Sequence, residues 1–241
     1  MVRRLSVGLL VLLMAGLGWA ASDGAQADAV EVILEQGVND YAGTRDTTIY
    51  QEGEKSNGGG QFLFAGNTNR SNARRALIAF DLSPIPEAAS VLSARLELTV
   101  SKTRAGATPQ RLHRLLADWG EGEQDAPDSE GSGTPAEAGD ATWNASFLGD
   151  STWATPGGDF ADEPSAEADV GEVGSTAVWA SDRLAADVQS WVDGEAENFG
   201  WILIGDEGSR QTTKRFHASE NAEVEAGDRP RLIVRYRPPE E

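Results

Sequence analysis

The chain reads as an all-β protein, a jelly-roll-like antiparallel β-sandwich with one short capping helix and a long acidic loop region. Three observations predict this. Apolar residues recur with period two in many short runs. Gly, Pro, Asn and Asp cluster between those runs. Only one segment departs to helical spacing.

The clearest half-buried strand is 92–101, where Leu92, Ala94, Leu96, Leu98 and Val100 alternate with Ser93, Arg95, Glu97, Thr99 and Ser101. In 76–82, Ala76, Ile78, Phe80 and Leu82 share one face, and the run stops at Ser83-Pro84-Ile85-Pro86 because proline removes ladder donors. Leu232, Val234 and Tyr236 alternate with Arg231, Ile233 and Arg235 near the C-terminus. Shorter strands are expected at 46–50, 61–65, 111–116, 201–205 and 214–218. So many short strands with turn signals between them fit a sandwich or barrel. In 182–193 the residues Leu184, Val188 and Trp191 follow helical spacing, with Asp182 as the expected N-cap and Gly194 as the stop.

The N-terminus predicts export. Arg3 and Arg4 precede an apolar run, Leu5 to Leu17, too short to span a bilayer comfortably, and Ala25-Gln26-Ala27 offers a small-x-small cleavage site. The domain plan is therefore a signal peptide at 1–27, a lead-in at 28–39, one sandwich domain at 40–237 and a tail at 238–241. The expected location is secreted or extracytoplasmic, at the cell surface or released, with no membrane span after cleavage. Without cysteine there is neither a disulfide framework nor a thiol nucleophile.

The net charge of −19 is unevenly placed. Residues 117–210 hold 22 acidic and 2 basic side chains, whereas 41–116 hold 10 basic and 6 acidic. The acidity argues against a nucleic-acid partner, because phosphate binding needs a basic surface. Within 120–176, a long acidic stretch rich in Gly, Ser, Pro and Ala, the residues Trp143, Phe147, Trp153 and Phe160 are expected to pack much of the loop onto the body.

Two residue sets could bind a ligand. Trp119, Trp143 and Trp153 lie beside Gly-rich turns, and flat aromatic rings stack on the apolar C–H faces of sugars. Arg70, Arg74, Arg75, Lys102, Arg104, Arg111 and Arg114 form the basic set, since arginine grips a carboxylate or sulfate with two parallel hydrogen bonds. For both sets the plain alternative is packing and solubility. Oxygen-rich turns suit a structural calcium ion, whose ligands stay unassigned because no EF-hand spacing is present. No cofactor is required. Catalytic signatures are thin: His113 and His217 stand alone, without zinc spacing, and nothing singles out a carboxylate pair for glycoside hydrolysis.

The order of several short motifs resembles the DNRLRE domain family, grouped with carbohydrate-binding module family 96. The motifs are Asp46-Thr47-Thr48-Ile49-Tyr50, Ser56-Asn57-Gly58-Gly59-Gly60, Arg74-Arg75-Ala76-Leu77-Ile78-Ala79-Phe80-Asp81-Leu82 and Ser93-Ala94-Arg95-Leu96-Glu97-Leu98. Asp118-Trp119-Gly120-Glu121-Gly122, Asn198-Phe199-Gly200-Trp201-Ile202-Leu203 and Arg229-Pro230-Arg231-Leu232-Ile233-Val234-Arg235-Tyr236 follow in the same order. The resemblance implies a jelly-roll-like sandwich of exported proteins and, in its carbohydrate-binding branch, acidic polysaccharides held by basic side chains. The expected function is thus a non-catalytic module that binds a polysaccharide or cell-surface glycan. The alternative is a structural or adhesive module that binds no glycan.

Overall fold

Period-two alternation builds two antiparallel sheets that face each other across one core. The computed structural model describes residues 28–240, so the signal peptide assigned to 1–27 lies outside it. The strands, in chain order, are β1 (Val30–Glu35), β2 (Thr44–Tyr50), β3 (Lys55–Ser56), β4 (Phe62–Asn67), β5 (Ala73–Phe80), β6 (Ser90–Thr103) and β7 (Thr108–Arg114). After these come β8 (Thr134–Pro135), β9 (Ala145–Phe147), β10 (Ser151–Thr152), β11 (Ala166–Val170) and β12 (Thr176–Ala180). The helix α1 (Asp182–Val192) precedes β13 (Trp201–Ile204), β14 (Lys214–His217) and β15 (Arg231–Arg237).

The first sheet runs β1-β15-β6-β12, and the second runs β2-β5-β13-β7-β11. At one end, β14 pairs with both β6 and β4, and β4 continues onto the first residues of β5. Hydrogen bonding is thereby continuous from one sheet to the other. The inner faces meet in a core that includes Leu96, Leu98, Ile78, Phe80, Trp179, Trp201, Phe216 and Leu232.

The segment 28–39, read as a lead-in, contributes β1, which pairs along its whole length with β15 from Val30↔Tyr236 to Glu35↔Arg231. The helix begins one residue earlier than expected. Ser181 is the N-cap, its Oγ accepting the Leu184 N–H at 3.0 Å, and Asp182 sits in the first turn, where its charge suits the helix dipole. Leu184, Val188 and Trp191 turn inward, and Trp191 meets Trp201 edge to face at 4.6 Å between ring centroids.

The two outer faces differ. That of the first sheet is open and charged: Arg95 pairs with Glu97 at 2.9 Å and with Glu31 at 3.6 Å, and Arg231 reaches Glu97 at 2.6 Å. That of the second sheet is covered by the loop region, which packs Trp119, Ala141 and Trp153 onto Ile49, Leu77, Ala79 and Ile202 as a second apolar cluster. Gly-rich turns allow this approach. A Cβ on Gly120 would stand 1.7 Å from the Gly139 carbonyl oxygen, and one on Gly58 would stand 2.0 Å from that of Glu121.

Candidate functional site: a basic cleft at the stitched end

The turn from β4 to β5, the turn from β6 to β7, the 129–132 loop and the start of β14 converge on one end of the sandwich. Between them lies an open cleft of about 560 Å³. Arg70 and Asn72 rise from the first turn, Lys102 and Thr103 from the end of β6, and Arg104 from the turn after it. Ser129 and Ser132 stand on the loop, and Gln211, Thr213 and Arg215 line the opposite wall. Phe64 and Arg74 form part of the floor.

The cationic groups fall into two kinds. Arg74 is fixed: it is 2% exposed, its guanidinium meets both oxygens of Glu52, and Nε and Nη2 donate to the Gly131 carbonyl at 3.2 and 3.1 Å. It also lies 4.7 Å over the Tyr50 ring. Burial pushes the Glu52 carboxyl upward, but the Arg74 hydrogen bond and charge outweigh this and hold it below its usual value. Arg74 therefore shapes the cleft and neutralises Glu52.

Arg70, Lys102, Arg104 and Arg215 are different, because none forms an ion pair with a described residue. Arg70, Lys102 and Arg104 are exposed. Arg215 is half-buried: its guanidinium lies flat over Phe62 at 3.5 Å, and its Nε donates to Ser101 Oγ at 2.9 Å. Burial lowers its pKa, yet a guanidinium starts so high that it stays charged. These four charges surround hydroxyl and amide groups of the kind that hydrogen-bond sugar hydroxyls. Sequence reasoning found Arg70, Lys102 and Arg104 but missed Arg215, since strand alternation in 214–218 does not reveal which rim the strand borders.

The remaining expected residues lie elsewhere. Arg75 is locked on the outer face of the second sheet, with paired hydrogen bonds to Glu207 and one from Nη1 to the Gly157 carbonyl at 2.8 Å. Arg111 pairs with Glu167 at 2.9 Å across β7 and β11. Arg114 lies 3.8 Å from Asp187.

The expected stacking tryptophans need correction. Trp119 and Trp153 are 0% and 4% exposed, so neither ring can meet a sugar. Their indole N–H groups donate to the carbonyls of Phe199 and Thr142, both at 2.9 Å. Arg45 covers Trp119 at 4.6 Å, and Arg75 covers the half-buried Trp143 at 4.7 Å. The cause is the second apolar cluster: Trp119, Ala141, Trp143, Trp153 and Phe160 bury more surface together than any could at the edge.

Among the described residues, no three His, Asp or Glu side chains are spaced to hold a metal ion. None of their helices is long and apolar enough to cross a membrane. Comparison with protein-family models gives no match, and comparison with curated proteins gives none either.

Proposed function

We propose that this protein is a non-catalytic exported module that binds an anionic polysaccharide in the basic cleft. One observation carries the reading. In a chain of net charge −19, Arg70, Lys102, Arg104 and Arg215 surround one open cleft and form no ion pair with any described carboxylate. Local positive potential against a negative background concentrates an anionic ligand at that end and repels it elsewhere. Arginine offers uronate or sulfate groups a planar, two-pronged donor, and the neighbouring Thr, Ser, Asn and Gln groups suit ring hydroxyls. The resemblance to the DNRLRE and family 96 modules points the same way, and export follows from the N-terminal segment.

Burial of the tryptophans favours a second reading over any neutral-glycan binder: a structural or adhesive module. Among the described residues no large aromatic side chain is exposed, so a neutral chain would lack the stacking that usually holds it.

Native gels containing alginate, a sulfated glycan or a neutral glycan separate the readings. Retardation by the anionic glycans alone, weakened by added salt, is the expected result. No shift with any glycan would leave the structural module.

A further inference from the structure

Asp46, on β2, is 1% exposed. Its Oδ2 accepts the Ser219 N–H at 2.9 Å, whereas its buried Oδ1 meets no donor. The Asp46 N–H in turn donates to Glu121 Oε1 at 2.6 Å. Glu220 adjoins Ser219, whose hydroxyl donates to Glu220 Oε1 at 2.8 Å. Three carboxyl groups from three separate segments thus converge.

Among the described residues no cation forms an ion pair with Asp46, Glu121 or Glu220. Arg45 precedes Asp46 on the strand and points to the opposite face, where it holds Asp118 and the Trp119 carbonyl. Its charge is felt only at Glu121. Glu220 lines a depression of about 390 Å³ together with Asp40, Tyr41 and Arg229. Arg229 is committed to the carbonyls of Asn221, Gln36 and Val224. On β5 the residue opposite Asp46 is Ile78, which is apolar. Burial first, then the charges of Glu220 and Glu121, push the Asp46 carboxyl well above the usual range, and burial raises Glu220 as well.

We propose that Asp46 and Glu220 share one proton, and that this proton latches the segment 218–229 onto β2, so that the segment opens as pH rises. A proton held between the two carboxyl groups would give the buried Asp46 Oδ1 the partner it lacks. One proton placed between them supplies an O–H···O⁻ bond, the short and strong kind. On deprotonation the proton passes to water in the depression and leaves two carboxylates side by side, with Glu121 a third charge nearby. Asp46 is buried although Glu220 reaches solvent, so the two cannot both ionise side by side without cost. The cheapest relief is to lift Ser219 and Glu220 into solvent.

Amide hydrogen exchange on the purified protein tests this. Protection of the Ser219 amide, measured against that of Leu77 in β5, should fall roughly tenfold between about pH 5 and about pH 8. Asp46→Asn should flatten this dependence, since its amide donates permanently to Glu220 while its oxygen still accepts from Ser219. Glu220→Gln alters an exposed side chain, so it tests the proposal even if Asp46→Asn fails to fold. A Glu220→Gln protein with the wild-type pH slope would overturn it. So would recovery of Ser219 protection at alkaline pH on adding millimolar calcium, which would make the cluster a cation site.

Discussion

Arg75 and Glu207 meet through two parallel hydrogen bonds, Nε to Oε1 and Nη2 to Oε2, both 2.8 Å. The same guanidinium is flanked by Trp143 at 4.7 Å and Phe160 at 5.6 Å, so it ties the covering loop to β5. Arg75→Gln should therefore cost about 2 kcal/mol of stability in urea titration, between the values for exposed and buried pairs. Glycan retardation should not change. A loss of retardation in a folded variant would return Arg75 to the binding surface.

The cleft charges should behave in the opposite way. Lys102→Gln with Arg104→Gln removes two exposed groups that hold no other residue in place. Stability should stay within about 0.5 kcal/mol, as for ordinary surface changes. Affinity for an anionic glycan should fall at least tenfold, about 1.4 kcal/mol, with a shallower dependence on salt. Affinity electrophoresis at two salt concentrations reads both effects.

Lys214 presents the inverse case. It is 0% exposed, and its ammonium donates to the carbonyls of Ala105, Gly106 and Gly171 at 3.3, 2.6 and 3.1 Å. Lys214→Met keeps the volume but leaves three carbonyl oxygens without that donor. Thermal unfolding should show a loss of about 2–4 kcal/mol. Because Ala105 and Gly106 lie in the turn after β6, beside Arg104, cleft binding should weaken as well.

Stability should also decline towards alkaline pH. Burial pushes the Glu121 carboxyl up to about 7, against an ordinary value of 4.5. Between these values the folded state binds more protons than the unfolded, so the favourable contribution is full below about 4.5 and disappears as pH rises through about 7. Partial exposure limits this to about 1 kcal/mol, a drop of about 2–4 °C in the melting midpoint. Glu121→Gln should remove that drop in a calorimetric pH series.

The strands were legible because alternation reports one buried face, as in Leu92 to Ser101. A second buried face is harder to see. In 76–80 the residues Leu77 and Ala79 are apolar too, and they lie under the covering loop. β1 carries its own alternation of Val30, Val32 and Leu34, overshadowed by the longer apolar run from Leu5 to Leu17. The tryptophans were misplaced for a physical reason. Glycine beside an aromatic reads as an open turn, yet Gly120, next to Trp119, permits backbone crowding. Spatial grouping of Arg70, Lys102, Arg104 and Arg215 depends on β14 joining the two sheets, a long-range pairing that no local pattern encodes.

The pairing of Val30 with Tyr236 has a mechanical consequence. Both ends of the sandwich leave from one edge, side by side. Tension applied between them would load the β1–β15 hydrogen bonds one at a time, as a zip opens, rather than all together in shear. Such a module yields early if strung in line between two anchors. Held by a single end, or inserted through its neighbouring ends into a loop of another protein, it carries no such load.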